Sequence, residues 1–182
     1  MQKVLRYWPV VGIYMLSIVF AVFWMTTVKH ASLFHFVEGF MASFLILFAC
    51  VKLWDLHGFA KRFSTYDIIA KKLPAYGYMY PFIEFGLGAF MILGSSVVAD
   101  YTMAVLAVIG IISVYISIIK KERLYCACLG TAFNVPLSYV TIIENITMLV
   151  SALTMIILGH SNSLLGSYLM MYRQFKLQIL IL

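Results

Sequence analysis

Two cysteines separated by a single residue, Cys126 and Cys128, are the sharpest chemical feature of this chain. In a helix, positions i and i+2 point to different faces, whereas in extended backbone they share one. Gly130 and Pro136 favour a non-helical stretch here, so the two sulfurs could converge. Such a pair suits a soft ion such as Cu(I), or a strained and easily reduced disulfide. Lys120, Lys121 and Arg123 stand just before it and would favour the thiolate. The plainer reading is two small apolar residues at a junction between loop and helix. The third cysteine, Cys50, stands alone in an apolar run, where packing is its expected role.

The second feature is a pair of carboxylates, Glu84 and Glu144, each inside an otherwise apolar run. A carboxylate in hydrocarbon costs about 2.5–3.5 kcal/mol on insertion scales and is usually functional. Each should therefore face the bundle interior, protonated or paired, with Tyr66, Tyr80 or Asn145 as candidate partners. Both lie within about two turns of the start of their run, where the helix dipole and nearby water lower the cost. Counted from those starts, near Ala75 and Pro136, they sit at matching depths, which predicts one shared pocket on the side of the cysteine pair. Asp55, His57 and Asp67 form a third, weaker group. A His/Asp metal site and ordinary solvated loop charges are both open for it, and the latter is the expectation. No Gly-rich phosphate loop, Ser/His/Asp arrangement or H-E-x-x-H is present.

The elements that must position these residues follow from composition. Of the 182 residues, 64% are hydrophobic and 11% charged. Soluble domains run at ~45–50% and ~25%, so the charged shell of a soluble fold is missing. Disorder, a coiled coil and a secreted disulfide scaffold are excluded as well. The net charge of +6 does not indicate nucleic acid, because the basic residues cluster beside apolar runs. Pro9 to Val28 gives 20 uncharged residues, enough for a ~30 Å hydrocarbon core and longer than a signal-peptide core of ~7–15. Further runs cover Phe36 to Trp54, Ala75 to Ala99, Tyr101 to Ile119 and about Pro136 to Leu158. Glu38 and Lys52, near the ends of the second run, should snorkel to the interface. A tight turn is expected around Asp100. Between the second and third runs, Phe59, Phe63, Tyr66, Ile69 and Ala70 recur at helical spacing, with Lys61, Arg62, Lys71 and Lys72 on other faces.

The predicted fold is an all-α integral membrane protein, a single membrane domain over 1–182. It has four to five transmembrane helices and a short interfacial amphipathic helix between spans two and three. Residues 159–182 form a C-terminal tail that could lie on the membrane surface. With five spans, ten basic residues fall on one side (3, 6, 52, 61, 62, 71, 72, 120, 121 and 123) and three on the other (29, 173 and 176). That split predicts a cytoplasmic N-terminus.

A resemblance rests on particular strings. These are Lys52-Leu-Trp-Asp55-Leu-His-Gly58, Tyr66-Asp67, Tyr80-Pro81-Phe82-Ile83-Glu84, Leu87-Gly88, Cys126-Ala-Cys128-Leu-Gly130, Asn134, Pro136 and Val140-Thr141-Ile-Ile-Glu144. Together they resemble the MauE (methylamine-utilisation) membrane proteins of the wider DoxX-like group, over about residues 36–158. The resemblance implies a bacterial inner-membrane protein that assists thiol redox or disulfide maturation of partner proteins. In the methylamine system that partner is the cysteine-rich small subunit of an amine dehydrogenase. Some similar proteins carry an added heavy-metal-associated domain, which implies copper or mercury handling through the same two thiols; these 182 residues include no such domain.

The expected partners are therefore the lipid bilayer and a thiol-bearing protein or metallochaperone, with Cu(I) or another soft ion as the cofactor of the alternative. Nothing in the residues speaks to methylamine itself. Disulfide formation belongs to the periplasmic side, whereas the charge count puts Cys126 and Cys128 toward the cytoplasm. Either the pair works from the cytoplasmic side, or it dips into the bundle, or the chain has a different number of spans.

Overall fold

A computed structural model describes residues 8–27, 32–93, 97–120 and 140–159. All regular structure among them is helical: α1 (Trp8–Thr27), α2 (Leu33–Trp54), α3 (Leu56–Tyr66), α4 (Pro74–Leu93), α5 (Val97–Ile119) and α6 (Val140–Gly159). Cys126, Cys128, Asn134, Pro136 and the 160–182 tail lie outside the described residues.

Among the described residues, four helices are long and apolar enough to cross a membrane: Trp8–Thr27, Leu33–Trp54, Val98–Ile119 and Val140–Gly159. In α1 only Ile13, Ser17 and Ala21 are buried, a single stripe at spacing four. Val11, Met15, Leu16, Val19, Val22 and Phe23 are exposed around it. Contiguous apolar surface of that extent calls for lipid. The chain is a multi-pass membrane protein.

The centre of the bundle is α2, which buries Met41, Ala42, Phe44, Leu45, Phe48 and Ala49. Against it lies α4, 20 residues long, interrupted by Pro81 and Glu84 and opened by three tyrosines. Its buried residues, Gly77, Tyr80, Pro81, Glu84, Gly88 and Met91, recur every three or four positions, which is one helix face. Gly88 permits the closest approach. A Cβ there would stand 2.8 Å from the Ala42 carbonyl oxygen, so the α2 backbone occupies the space of a side chain. With Gly88 beside Ala42 and Glu84 beside Lys52, the two helices run antiparallel.

The interfacial helix is shorter than the sequence suggests. It covers Leu56–Tyr66 and buries Phe59, Ala60, Phe63 and Tyr66 on one face, while Lys61 is exposed. Ile69 and Ala70 lie in a turn beyond it, because Asp67 stops the helix. The Asp67 carboxylate accepts from the backbone N–H of Ile69 (2.9 Å) and Ala70 (2.8 Å), the local bonding by which Asp competes with helix. Its other oxygen accepts from the Ser113 hydroxyl at 3.2 Å, and Ser113 Oγ accepts from the Ile68 N–H at 3.1 Å. This corner fastens α3 to the C-terminal half of α5. At the start of α3, Asp55 follows Trp54 directly and accepts from the Gly58 N–H at 3.0 Å as an N-cap, so α2 turns into α3 through one residue.

Two expectations at the membrane ends are corrected. Asp100 does not stand in a turn between α4 and α5: it is buried in the first turn of α5. An acid suits that position because the first helical turn carries unpaired N–H groups. Glu38 does not snorkel: it is 6% exposed and accepts a long hydrogen bond, 3.4 Å, from Trp24 Nε1.

Candidate functional site

Three long-range partners meet inside the bundle. Lys52 Nζ, near the C-terminal end of α2, lies 2.7 Å from both carboxylate oxygens of Glu84 on α4. It lies 2.6 Å from Glu144 Oε1, one turn into α6. None of the three reaches solvent: Lys52 is 2% exposed, Glu84 0% and Glu144 3%. Lys52 therefore does not snorkel, and this corrects the expectation. Its stem is enclosed by the core, and two acids supply the counter-charge that water would otherwise provide. Rings complete the cage, with the ammonium 5.1 Å from the centroid of Tyr80 and 5.7 Å from those of Phe48 and Phe59. Those distances are within cation–π range.

Beside the cluster is a cavity of about 10 Å³, lined by Lys52, Tyr66, Tyr76, Tyr80, Glu144 and Asn145 among others. That is room for about one water. The Asn145 amide donates to the Thr141 carbonyl at 2.7 Å, while its Oδ1 is buried and unpartnered, as is Glu144 Oε2. Gly110 on α5 makes this arrangement possible: a Cβ there would collide with Asn145 Oδ1, so the amide occupies the space of a side chain at that position. Chemically, the site can hold charge away from water and can accept a proton or a hydrogen-bond donor at two open oxygens.

The other residues singled out in the sequence do not join it. Asp55 is the N-cap of α3, and Asp67 is 2% exposed in the α3–α5 corner rather than a solvated loop charge. Exposed His57 pairs through Nδ1 with the Tyr78 hydroxyl at 2.9 Å. Cys50 is an exposed free thiol on α2. Among the described residues no three His, Cys, Asp or Glu side chains are grouped as a metal site. Lys52 is the residue that sequence reasoning missed. The signal was available: of 13 basic residues it alone falls inside an apolar run, and two intramembrane acids need a base.

The fold and this buried ion cluster define a polytopic helical membrane protein with a polar centre built from three of its helices. A family model described as methylamine utilisation protein MauE matches residues 29–158, and the chain belongs to that family. No curated protein matches the chain. No solved structure does either.

Proposed function

We propose that this protein is a thiol-redox accessory protein of the bacterial inner membrane, with its N-terminus in the cytoplasm and Cys126 and Cys128 as the reactive pair. The observation that carries the reading is where the C-x-C string falls. It lies in sequence between α5, whose C-terminal half is fastened to the α3 corner through Ser113, and α6, which delivers Glu144 to the cluster within one turn of Val140. A partner protein exchanges with the pair. A partner thiolate attacks one sulfur of a Cys126–Cys128 disulfide to give a mixed disulfide, and the partner's second thiolate displaces it. The partner's dithiol loses two electrons and two protons and becomes a disulfide, while Cys126 and Cys128 become thiols; the reverse exchange balances in the same way. Lys120, Lys121 and Arg123 favour the thiolate form needed in either direction.

Equilibration of the purified protein in glutathione buffers, followed by alkylation with a mass tag, tests this. We expect both cysteines to titrate together as one two-electron couple and to alkylate fast near neutral pH. Slow, independent modification would reduce them to packing residues. Stoichiometric Cu(I) retained under reducing conditions and lost in the Cys126→Ser/Cys128→Ser variant would make the protein a soft-metal carrier instead.

A further inference from the structure

Among the described residues, the buried cluster is one positive charge short. Lys52 brings one, while Glu84 and Glu144 would bring two negative charges if both were ionised. The groups that face them do not close the gap. From α4 come Tyr80 and Tyr76, from α3 and its corner Tyr66 and Asp67, and from α5 only Leu106, Ile109 and Gly110. Among the described residues lining the cavity, Lys52 is the one base. An uncompensated charge in a water-poor interior is neutralised, because the charged form loses its hydration there and nothing replaces it.

The hydrogen bonding shows where the compensation goes. Three of the four carboxylate oxygens contact Lys52 Nζ. The fourth, Glu144 Oε2, is buried without a partner, and so is Asn145 Oδ1. Both residues line the one-water cavity. Two open oxygens are too few for a hard metal cation, which takes about six or more oxygen ligands. They are enough for one acid proton and one water: the O–H donates to the water, and the water donates to the amide oxygen.

We propose that Lys52, Glu84 and Glu144 form a proton-loading site: the two carboxyl groups share one exchangeable proton, received at Glu144 Oε2, with a water in the adjoining cavity joining it to Asn145. The inference goes beyond the thiol reading and does not rest on it. It makes the bundle interior a place where a proton is taken up and released.

Infrared difference spectroscopy between H2O and D2O, on the full chain in lipid vesicles at neutral pH, tests the charge count directly. The Glu38→Gln/Asp100→Asn background removes the buried acids at the other end. The carbonyl band of a protonated carboxylic acid is expected in that protein and shifts in D2O. E84Q and E144Q should each abolish it, since one acid then matches one base. K52M should double it. The two Gln variants keep the test decisive if K52M fails to fold, with gel filtration and circular dichroism reporting on folding. Absence of the band in the intact cluster, or a band indifferent to both Gln variants, overturns the proposal. So does a band that appears only when sodium is replaced by a large organic cation, which would make a metal ion the missing charge.

Discussion

A lysine ammonium has three N–H donors and no acceptor, and at Lys52 three carboxylate oxygens lie within 2.7 Å of it. Such a cluster is held by mutual need rather than by large net attraction, because each ion gave up hydration to enter the core. Removing one member is therefore costly in a way that removing a surface charge is not. Lys52→Ala should destabilise the bundle by ~3–5 kcal/mol, whereas Lys61→Ala on exposed α3 surface should change it by less than ~0.5 kcal/mol. Unfolding in detergent, compared between the two variants, checks this, and equal stabilities would mean that the cluster carries no structural weight. That Glu84 and Glu144 turn inward was legible in the sequence, since lipid would not accept them. That Lys52 joins them was signalled only by its place inside an apolar run, which snorkelling explains equally well. A lysine two residues from the end of an apolar run ordinarily snorkels, and only the three-dimensional meeting of α2, α4 and α6 shows why this one does not.

At the scale of elements, apolar runs located the long helices, four of which are apolar enough to span among the described residues, because a bilayer imposes helix length so strongly. Their ends were harder to place. Asp100 reads as a turn residue when charge is equated with loop, while the Gly94-Ser95-Ser96 string, the stronger punctuation, falls between the observed helices. Likewise the apolar spacing of α3 runs on to Ala70, and it is the Asp67 carboxylate, bonded to Ile69, Ala70 and Ser113, that ends the helix. The contact between α2 and α4 invites a direct test at Gly88. Gly88→Val would place a branched side chain where the Ala42 carbonyl now lies, forcing the two helices apart. Overpacking of this kind costs ~1–3 kcal/mol. It should also draw Glu84, one turn away on the same face, off Lys52. A stability loss accompanied by an unchanged infrared signature of the carboxyl pair would show that the helix spacing and the cluster are independent.

At the scale of the whole molecule, the structure changes the charge count that sets orientation. Lys52 sits in the bundle interior, so it cannot hold a loop in the cytoplasm, and the ten-to-three split becomes nine to three. The remaining nine still lie before α1, in and after α3, and just after α5, so the bias survives the loss. It also depends on α4 crossing the membrane. Its length and its antiparallel course along α2 support a crossing, although its composition is the most polar of the long helices. If α4 crosses, α3 and the α5–α6 connection share one side, as the bonds between Asp67 and Ser113 require of α3 and the lower half of α5. Reporter fusions decide the matter. One placed after Arg123 should behave as cytoplasmic, and one placed between α1 and α2 as periplasmic. The opposite pattern would reverse the molecule and put Cys126 and Cys128 on the oxidising side, where the pair would act as a disulfide donor. The expected pattern leaves the pair facing the reducing cytoplasm, where dithiols rather than disulfides persist, and there it would deliver electrons to its partner.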